Sequence, residues 1–282
     1  MKRLIAPIIL ISILMYGCTE NMDIKLDSTY TRLIVDASIS TDTTTHKVLL
    51  TKTASYFDSS NPLPVTGAII TIDDGTNTFP LTENNLTPGM YETAPNVYGV
   101  VGKTYNLTIK NIDINNDGVT ETYNASSTIN YVTKIDSIQA PYKGNNPERM
   151  SYQIMLFAQD PPTKDYYMFE IYKNGVLQTD TLREVRFSDD ELFNGNYVYG
   201  LPVGSLRDRK DGEQGHPGDV VTVEMRSITK DYYNFLTGAL LATSPQIPLF
   251  SGPPANVKGN INNGAFGFFA AYSSSRASCV LK

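Results

Sequence analysis

The sequence predicts a mainly β protein (all-β in class): an N-terminal Ig-like β-sandwich over residues 30–132, then a second mostly β domain over residues 133–282 carrying one helix. Three observations predict it. Short runs alternate apolar and polar residues with period two, the pattern of a half-buried strand. Turn dipeptides separate those runs at close spacing, as in an antiparallel sandwich. Helical periodicity occurs in one stretch, residues 230–243.

The first strand starts near Thr31. Leu33, Val35, Ala37 and Ile39 alternate with Arg32, Ile34, Asp36 and Ser38, which leaves one strongly apolar face. Lys47–Thr53, Ala68–Asp73 and Met90–Thr93 are further short runs, and Tyr105, Leu107 and Ile109 alternate inward in another. Asn61-Pro62, Asp74-Gly75, Pro88-Gly89 and Asp117-Gly118 supply the turns between them. His46 falls at a strand end. A second set of strands begins near Ile135. Tyr152, Ile154, Leu156 and Ala158 alternate, Tyr166–Tyr172 is an aromatic strand, and Val221, Val223 and Met225 mark another.

Between these lies Ser188–Gly218, rich in Asp, Asn and Gly, which reads as a long excursion of the functional kind. The helix spans Lys230–Thr243, with Tyr232, Tyr233, Leu236, Ala239 and Leu240 on one face. Thr229 or Ser227 caps it, Asp231 suits its first turn and Pro245 stops it. Gly264–Tyr272 reads as a last strand, whose glycines let Phe266, Phe268 and Phe269 pack closely.

The N-terminus is a secretory leader. Lys2 and Arg3 precede an apolar run from Leu4 to Tyr16, too short for a membrane span of about 20 residues. Leu14-Met15-Tyr16-Gly17-Cys18 resembles a bacterial lipobox. That resemblance implies a signal peptide over residues 1–17, lipidation (including palmitate) of Cys18, and a tether over residues 18–29. Loss of Lys2 and Arg3 takes the net charge from −6 to −8. Multiple acyl chains, at about 0.8 kcal/mol per buried methylene, anchor effectively for good. Glu20 and Asp23 resemble a signal for export to the outer face. Cys279 has no partner and reads as a buried, inert thiol.

Composition narrows the function classes. Two Cys exclude a disulfide scaffold, and two distant His exclude a His-rich metal cluster. A net charge of −6 points away from nucleic acid, which needs a basic face. No G-x-S-x-G, H-E-x-x-H, P-loop or G-x-G-x-x-G string occurs. The chain therefore reads as no enzyme, with no cofactor.

Several segments point to one family. Leu33-Ile34-Val35-Asp36-Ala37, Thr66-Gly67-Ala68 with Ile70, Gly89-Met90-Tyr91 and Gly102-Lys103-Thr104-Tyr105 carry part of the likeness. Pro254-Ala255-Asn256-Val257-Lys258-Gly259-Asn260-Ile261, followed by Asn263-Gly264-Ala265-Phe266-Gly267-Phe268-Phe269, carries most of it. Together these resemble the Bacteroidota lipoproteins called domain of unknown function 4249, over nearly the whole mature chain. The resemblance carries no catalytic motif. It implies an accessory role beside a TonB-dependent outer-membrane transporter, on the surface or periplasmic face.

Three sets of side chains are candidate sites. Asp113, Asn115 and Asp117 with Gly118 begin like a calcium loop, but Asn124 stands where a bidentate Glu belongs, and Asn116-Asp117-Gly118 also serves as a hairpin turn. His216 with Asp189, Asp190 and Glu191 is a candidate metal or acid–base group. Tyr197 and Tyr199, with Asn194 and Asn196, form the candidate ligand-binding group, because Tyr pairs an apolar body with a polar tip. Asp27-Ser28-Thr29, Asp42-Thr43-Thr44, Asp136-Ser137-Ile138 and Asp180-Thr181-Leu182 also resemble the short Bacteroidota O-glycosylation signal.

The expectation is an outer-membrane lipoprotein that helps a transporter barrel capture or present a ligand whose identity the sequence does not name. The alternatives are a structural, assembly or adhesion lipoprotein of the envelope, and a hydrolase working through carboxylates at Asp189–Glu191.

Overall fold

The computed structural model describes residues 31–53, 62–143, 151–206, 214–243 and 257–282. The leader, the tether, Cys18, Asp27–Thr29, Asn61, Pro245 and the Pro254–Asn256 part of the family block lie outside the described residues.

The first half supplies β1 (Leu33–Ser40), β2 (Lys47–Lys52), β3 (Ile69–Asp73), β4 (Thr78–Glu83), β5 (Met90–Glu92), β6 (Thr104–Ile112) and β7 (Glu121–Thr128). The second supplies β8 (Ile135–Gln139), β9 (Tyr152–Gln159), β10 (Tyr166–Lys173), β11 (Val176–Leu177), β12 (Arg186–Asp189), β13 (Tyr197–Leu206), β14 (Val220–Ser227), the helix α1 (Lys230–Ala242) and β15 (Phe266–Val280). The protein is mostly β with one helix among the described residues.

One large sheet runs in the order β11-β10-β14-β15-β1-β2-β5-β4-β3-β6-β7, with β12 also on β10, and a three-stranded sheet runs β13-β9-β8. β4 pairs with β3 through Thr78–Leu81 and with β5 through Thr82 and Glu83, and a strand that switches partner along its length makes the corner at which the large sheet turns back on itself. Leu33, Val35 and Ile39 of β1 share one core with Ile70 and Ile72 of β3 and with Leu107 and Ile109 of β6. Two sheet faces meeting over alternate side chains make a sandwich.

A second core lies between the large sheet and the small one. Phe169 and Ile171 of β10 and Val221, Val223 and Met225 of β14 meet Ile154 and Leu156 of β9 and Val203 and Leu206 of β13. Each fully buried aliphatic or Phe side chain contributes about 1.5–3 kcal/mol.

β15 serves both cores. Phe269 and Ala271 belong to the first, while Ala277 and Cys279 pack on the second. The strand pairs with β1 in parallel, from Ile34↔Phe266 to Ser40↔Tyr272, and with β14 antiparallel, from Ser227↔Ser273 to Val220↔Val280. The sequence predicted antiparallel pairing only, and a strand ending at Tyr272. The parallel partner lies far away along the chain, where no turn residue announces it, and Ser273–Ser275 hide the continuation.

The glycines of the last strand have a different use from the one expected. Gly267 has φ +97°, and a Cβ there would stand 1.9 Å from the Val35 carbonyl oxygen. A Cβ on Gly259 would stand 1.8 Å from the Gly267 oxygen. Three backbones stack here with no room for side chains, and aromatic packing is secondary.

The helix forms as its sequence predicts. The Thr229 hydroxyl accepts from the Tyr232 amide at 3.2 Å, and Asp231 sits in the first turn. Leu236 is its buried residue, and Tyr232 and Phe235 pack on Phe268 at centroid distances of 4.9 and 5.2 Å. Among the described residues no helix is long and apolar enough to cross a membrane.

Two further expectations change. The Ser188–Gly218 excursion contains the end of β12 and all of β13, a ten-residue strand that pairs with β9. Cys279 is only half-buried, and desolvation raises its thiol pKa.

Candidate functional site

The outer face of the three-stranded sheet presents the aromatic group. On β9, Tyr152, Ile154, Leu156 and Ala158 point into the core, which sends Gln153, Met155, Phe157 and Gln159 outward. β13 lies beside it with Tyr197 opposite Gln159 and Tyr199 opposite Phe157. Directly opposed side chains share a face, so both tyrosines join that outward surface. The register slips between Tyr199 and Leu201, where Gly200 has φ +79°. Gly200 lies directly over Met155 and Phe157: a Cβ there would be 3.3 Å from the tip of each.

The two tyrosine rings tilt together at 57° with centroids 4.6 Å apart. Tyr199 is 83% exposed. Desolvation and a hydrogen bond to the Asp136 carboxylate raise the Tyr197 phenol above its ordinary pKa. The structure therefore brings Tyr197 and Tyr199 together on a strand, where the sequence placed them in a loop.

Asn194 and Asn196 sit in the exposed turn before β13. The Asn196 amide nitrogen donates to the Asn194 carbonyl at 3.1 Å, so one of the two serves the turn itself. Sequence reasoning missed Asp136, Met155 and Phe157. For Met155 and Phe157 the signal was present in β9, where apolar residues occupy outward positions as well as inward ones.

An acidic knot holds that turn from below. Asp160 is buried, accepts from the Tyr167 hydroxyl at 2.9 Å and accepts from the Gly195 amide at 3.1 Å. Asp190 is wholly buried and accepts from the Asp165 amide at 2.8 Å. Burial raises the pKa of Asp160 and of Asp165, and it raises the Tyr167 phenol.

The other candidates are placed differently. Asp190 turns inward while Glu191 is exposed, and His216 lies 3.8 Å from Asp219 instead. In the Asp113 loop the side chains brace the turn. Asp113 accepts from the amides of Asp117 and Gly118, Asn115 from that of Asp117, and Asp117 from that of Val119. Gly118 has φ +85° and Asn116 φ +59°, as a tight connection between β6 and β7 requires. Among the described residues no three His, Cys, Asp or Glu side chains gather closely enough to hold a metal ion.

His46 precedes β2 and is 4% exposed. Its Nδ1 accepts from the Ser40 amide at 3.4 Å, and its Nε2 lies 3.2 Å from the Val97 carbonyl oxygen. It stitches the start of β2 to the end of β1.

A family model described as domain of unknown function (DUF4249) matches residues 19–278. No curated protein matches the chain. Among solved structures it is similar to two of the beta-glucuronidase of Parabacteroides merdae, one of them with glycerol in its active site, at 8% and 9% identity. Each has a TM-score of 0.21, and the match covers 70% of this chain but 23% of the glucuronidase. At those values the likeness carries no argument about activity.

Proposed function

The chain belongs to the family described as domain of unknown function (DUF4249), and from that premise we propose that it is a non-enzymatic lipoprotein of the outer membrane. Cys18 carries the lipid anchor, and the folded part captures a ligand or presents it to a transporter barrel. The observation that carries this reading is the Tyr197–Tyr199 pair on the outer face of the small sheet, with Tyr199 83% exposed. A large aromatic ring left in water gives the fold nothing. Rings of this kind on rigid strands are what binding surfaces use. The anchor and the transporter rest on the lipobox-like Leu14–Cys18 segment and on the family resemblance.

The test is an affinity pull-down from solubilised outer membranes through a C-terminal tag, with Cys18→Ala as the unanchored control. Stoichiometric recovery of a barrel supports the reading. Recovery of no barrel, together with normal uptake in a deletion strain, overturns it in favour of a structural role in the envelope.

A further inference from the structure

We propose that a second site, at the opposite end of the β9–β13 pair from Tyr199, binds a small anionic molecule that also carries hydroxyl groups. A cavity of about 380 Å³ opens there, lined by Lys143, Arg186, Gln153, Ser151 and Ser205 together with Pro202 and Gly204 of β13. It lies where the edges of the two sheets meet. Ser205 is paired with Gln153 in the small sheet, and Arg186 opens β12 at the margin of the large one. A volume of this order suits a small-molecule site, typically about 300–1,000 Å³.

The chemistry of the lining chooses the ligand. Two cations line one cavity, and among the described residues no carboxylate does, although the whole chain carries a net charge of −6. Among the described residues neither Lys143 nor Arg186 forms an ion pair. Other described lysines and arginines are also without an ion pair; what sets these two apart is that both line one cavity, where their charges add. The guanidinium offers two parallel N–H groups that fit a carboxylate or a phosphate, and the ammonium adds a point charge.

A second observation points the same way. Gln153 Oε1 is buried and has no hydrogen-bond partner. A buried acceptor without a donor is disfavoured, and a turn of the Gln153 side chain toward the cavity it lines would bring it to one. An ionised carboxylate has none to offer, but a hydroxyl on the same molecule does. The Ser151 and Ser205 hydroxyls can serve further polar groups on the same molecule. A sugar acid or a sugar phosphate has this combination. The site does not depend on the transporter partnership, since it is assembled wholly from side chains of this chain.

The test is calorimetric titration of the full chain in detergent with galacturonate, glucose 6-phosphate, glucose and inorganic phosphate at low salt. Galacturonate, glucose 6-phosphate or both should saturate while glucose gives no heat, and the tighter of the two tells carboxylate from phosphate. Arg186→Gln and Lys143→Gln should each weaken binding about tenfold, the usual loss for a hydrogen bond to a charged group. Both side chains are exposed, so the variants should melt like the parent. Saturation by neither anion overturns the proposal, as does unchanged affinity in both variants. Inorganic phosphate bound as tightly as the sugar phosphate would overturn the hydroxyl part.

Discussion

Arg226 on β14 grips Glu170 on β10 with two hydrogen bonds, 2.5 Å from Nη1 to Oε1 and 2.6 Å from Nη2 to Oε2. Its Nε donates to Glu224 at 2.7 Å, and Arg276 on β15 bridges Glu224 to Asp42 beyond β1. Two guanidiniums and three carboxylates thus tie four neighbouring chain segments on the sheet face away from the second core. The Tyr272 ring lies 4.6 Å from the Arg226 guanidinium. Arg226 and Glu170 are only 14% and 12% exposed, and Glu224 is 3% exposed. Burial raises the Glu170 pKa, even though Arg226 pulls the other way.

Arg226→Met should therefore destabilise strongly, by about 3–5 kcal/mol at pH 8, because it strands buried carboxylates. The pH dependence has a definite sign. In the variant, Glu170 binds a proton in the folded state at a pH where the unfolded chain, with a carboxyl pKa of about 4.3, has released it. Stability then falls as pH rises through that window and returns as pH falls. Urea unfolding should show a smaller loss at pH 5 than at pH 8. Equal losses at both would count against a buried network of charges.

Gly267→Ala should break the β1–β15 register. Its Cβ would meet the Val35 oxygen at 1.9 Å in a left-handed backbone, and backbone cannot step aside as a flexible side chain does. A loss of about 3 kcal/mol or more is expected, among the large values reserved for strained or overpacked sites. Gly264→Ala is the control. It shares a positive φ of +74° but meets nothing within 4 Å, so it should lose only about 1 kcal/mol. Thermal melts that rank the two equally would show that strain alone, without the close approach, sets the effect.

His46 should make the protein acid-sensitive near neutrality. Burial lowers its pKa below the ordinary value. The unfolded chain gains a proton near pH 6.5 while the folded one resists, so stability is lost as pH falls below about 6.5. His46→Gln should flatten the stability profile between pH 7.5 and pH 5.5. Its amide can replace one of the two ring contacts, so the loss at pH 7.5 should stay near 1 kcal/mol, about the net value of one hydrogen bond. Parallel profiles for variant and parent would remove His46 as the sensor.

Much of the fold was legible because it is local. Leu33–Ile39 and Tyr152–Ala158 alternate cleanly, and Thr229 with Asp231 marks the helix start. The rest was hidden for physical reasons. The β1–β15 pairing joins residues more than 200 positions apart, and parallel neighbours need no shared turn. β13 reads as a loop because Gly200, Pro202 and Gly204 interrupt its alternation, and the register slips at two places there. β4 carries Pro80, which argues against a strand unless the missing amide is tolerated. For the candidate site, the spacing of Tyr197 and Tyr199 was readable. Their exposure was not, since that depends on which face of β9 the core claims. Glu170 and Arg226 sit inside apolar strands, where period two predicts a face but not the partner.

Tyr199→Ala should separate function from folding. The ring is 83% exposed and touches Tyr197 above the Phe157 side of the sheet. Removing it leaves the two cores intact, so stability should change by no more than about 0.5 kcal/mol, as for other surface substitutions. If the outward face of the small sheet engages the ligand or the barrel, the same change should weaken that contact by about 2 kcal/mol, the usual threshold for a hot-spot aromatic. Tyr197→Ala should do both, because that phenol also holds Asp136. The reading needs the two measurements to part company at Tyr199: an unchanged melt with reduced recovery of the barrel in the pull-down. An unchanged melt with full recovery would mean that the exposed ring contributes nothing, and that the contact surface lies elsewhere on the chain.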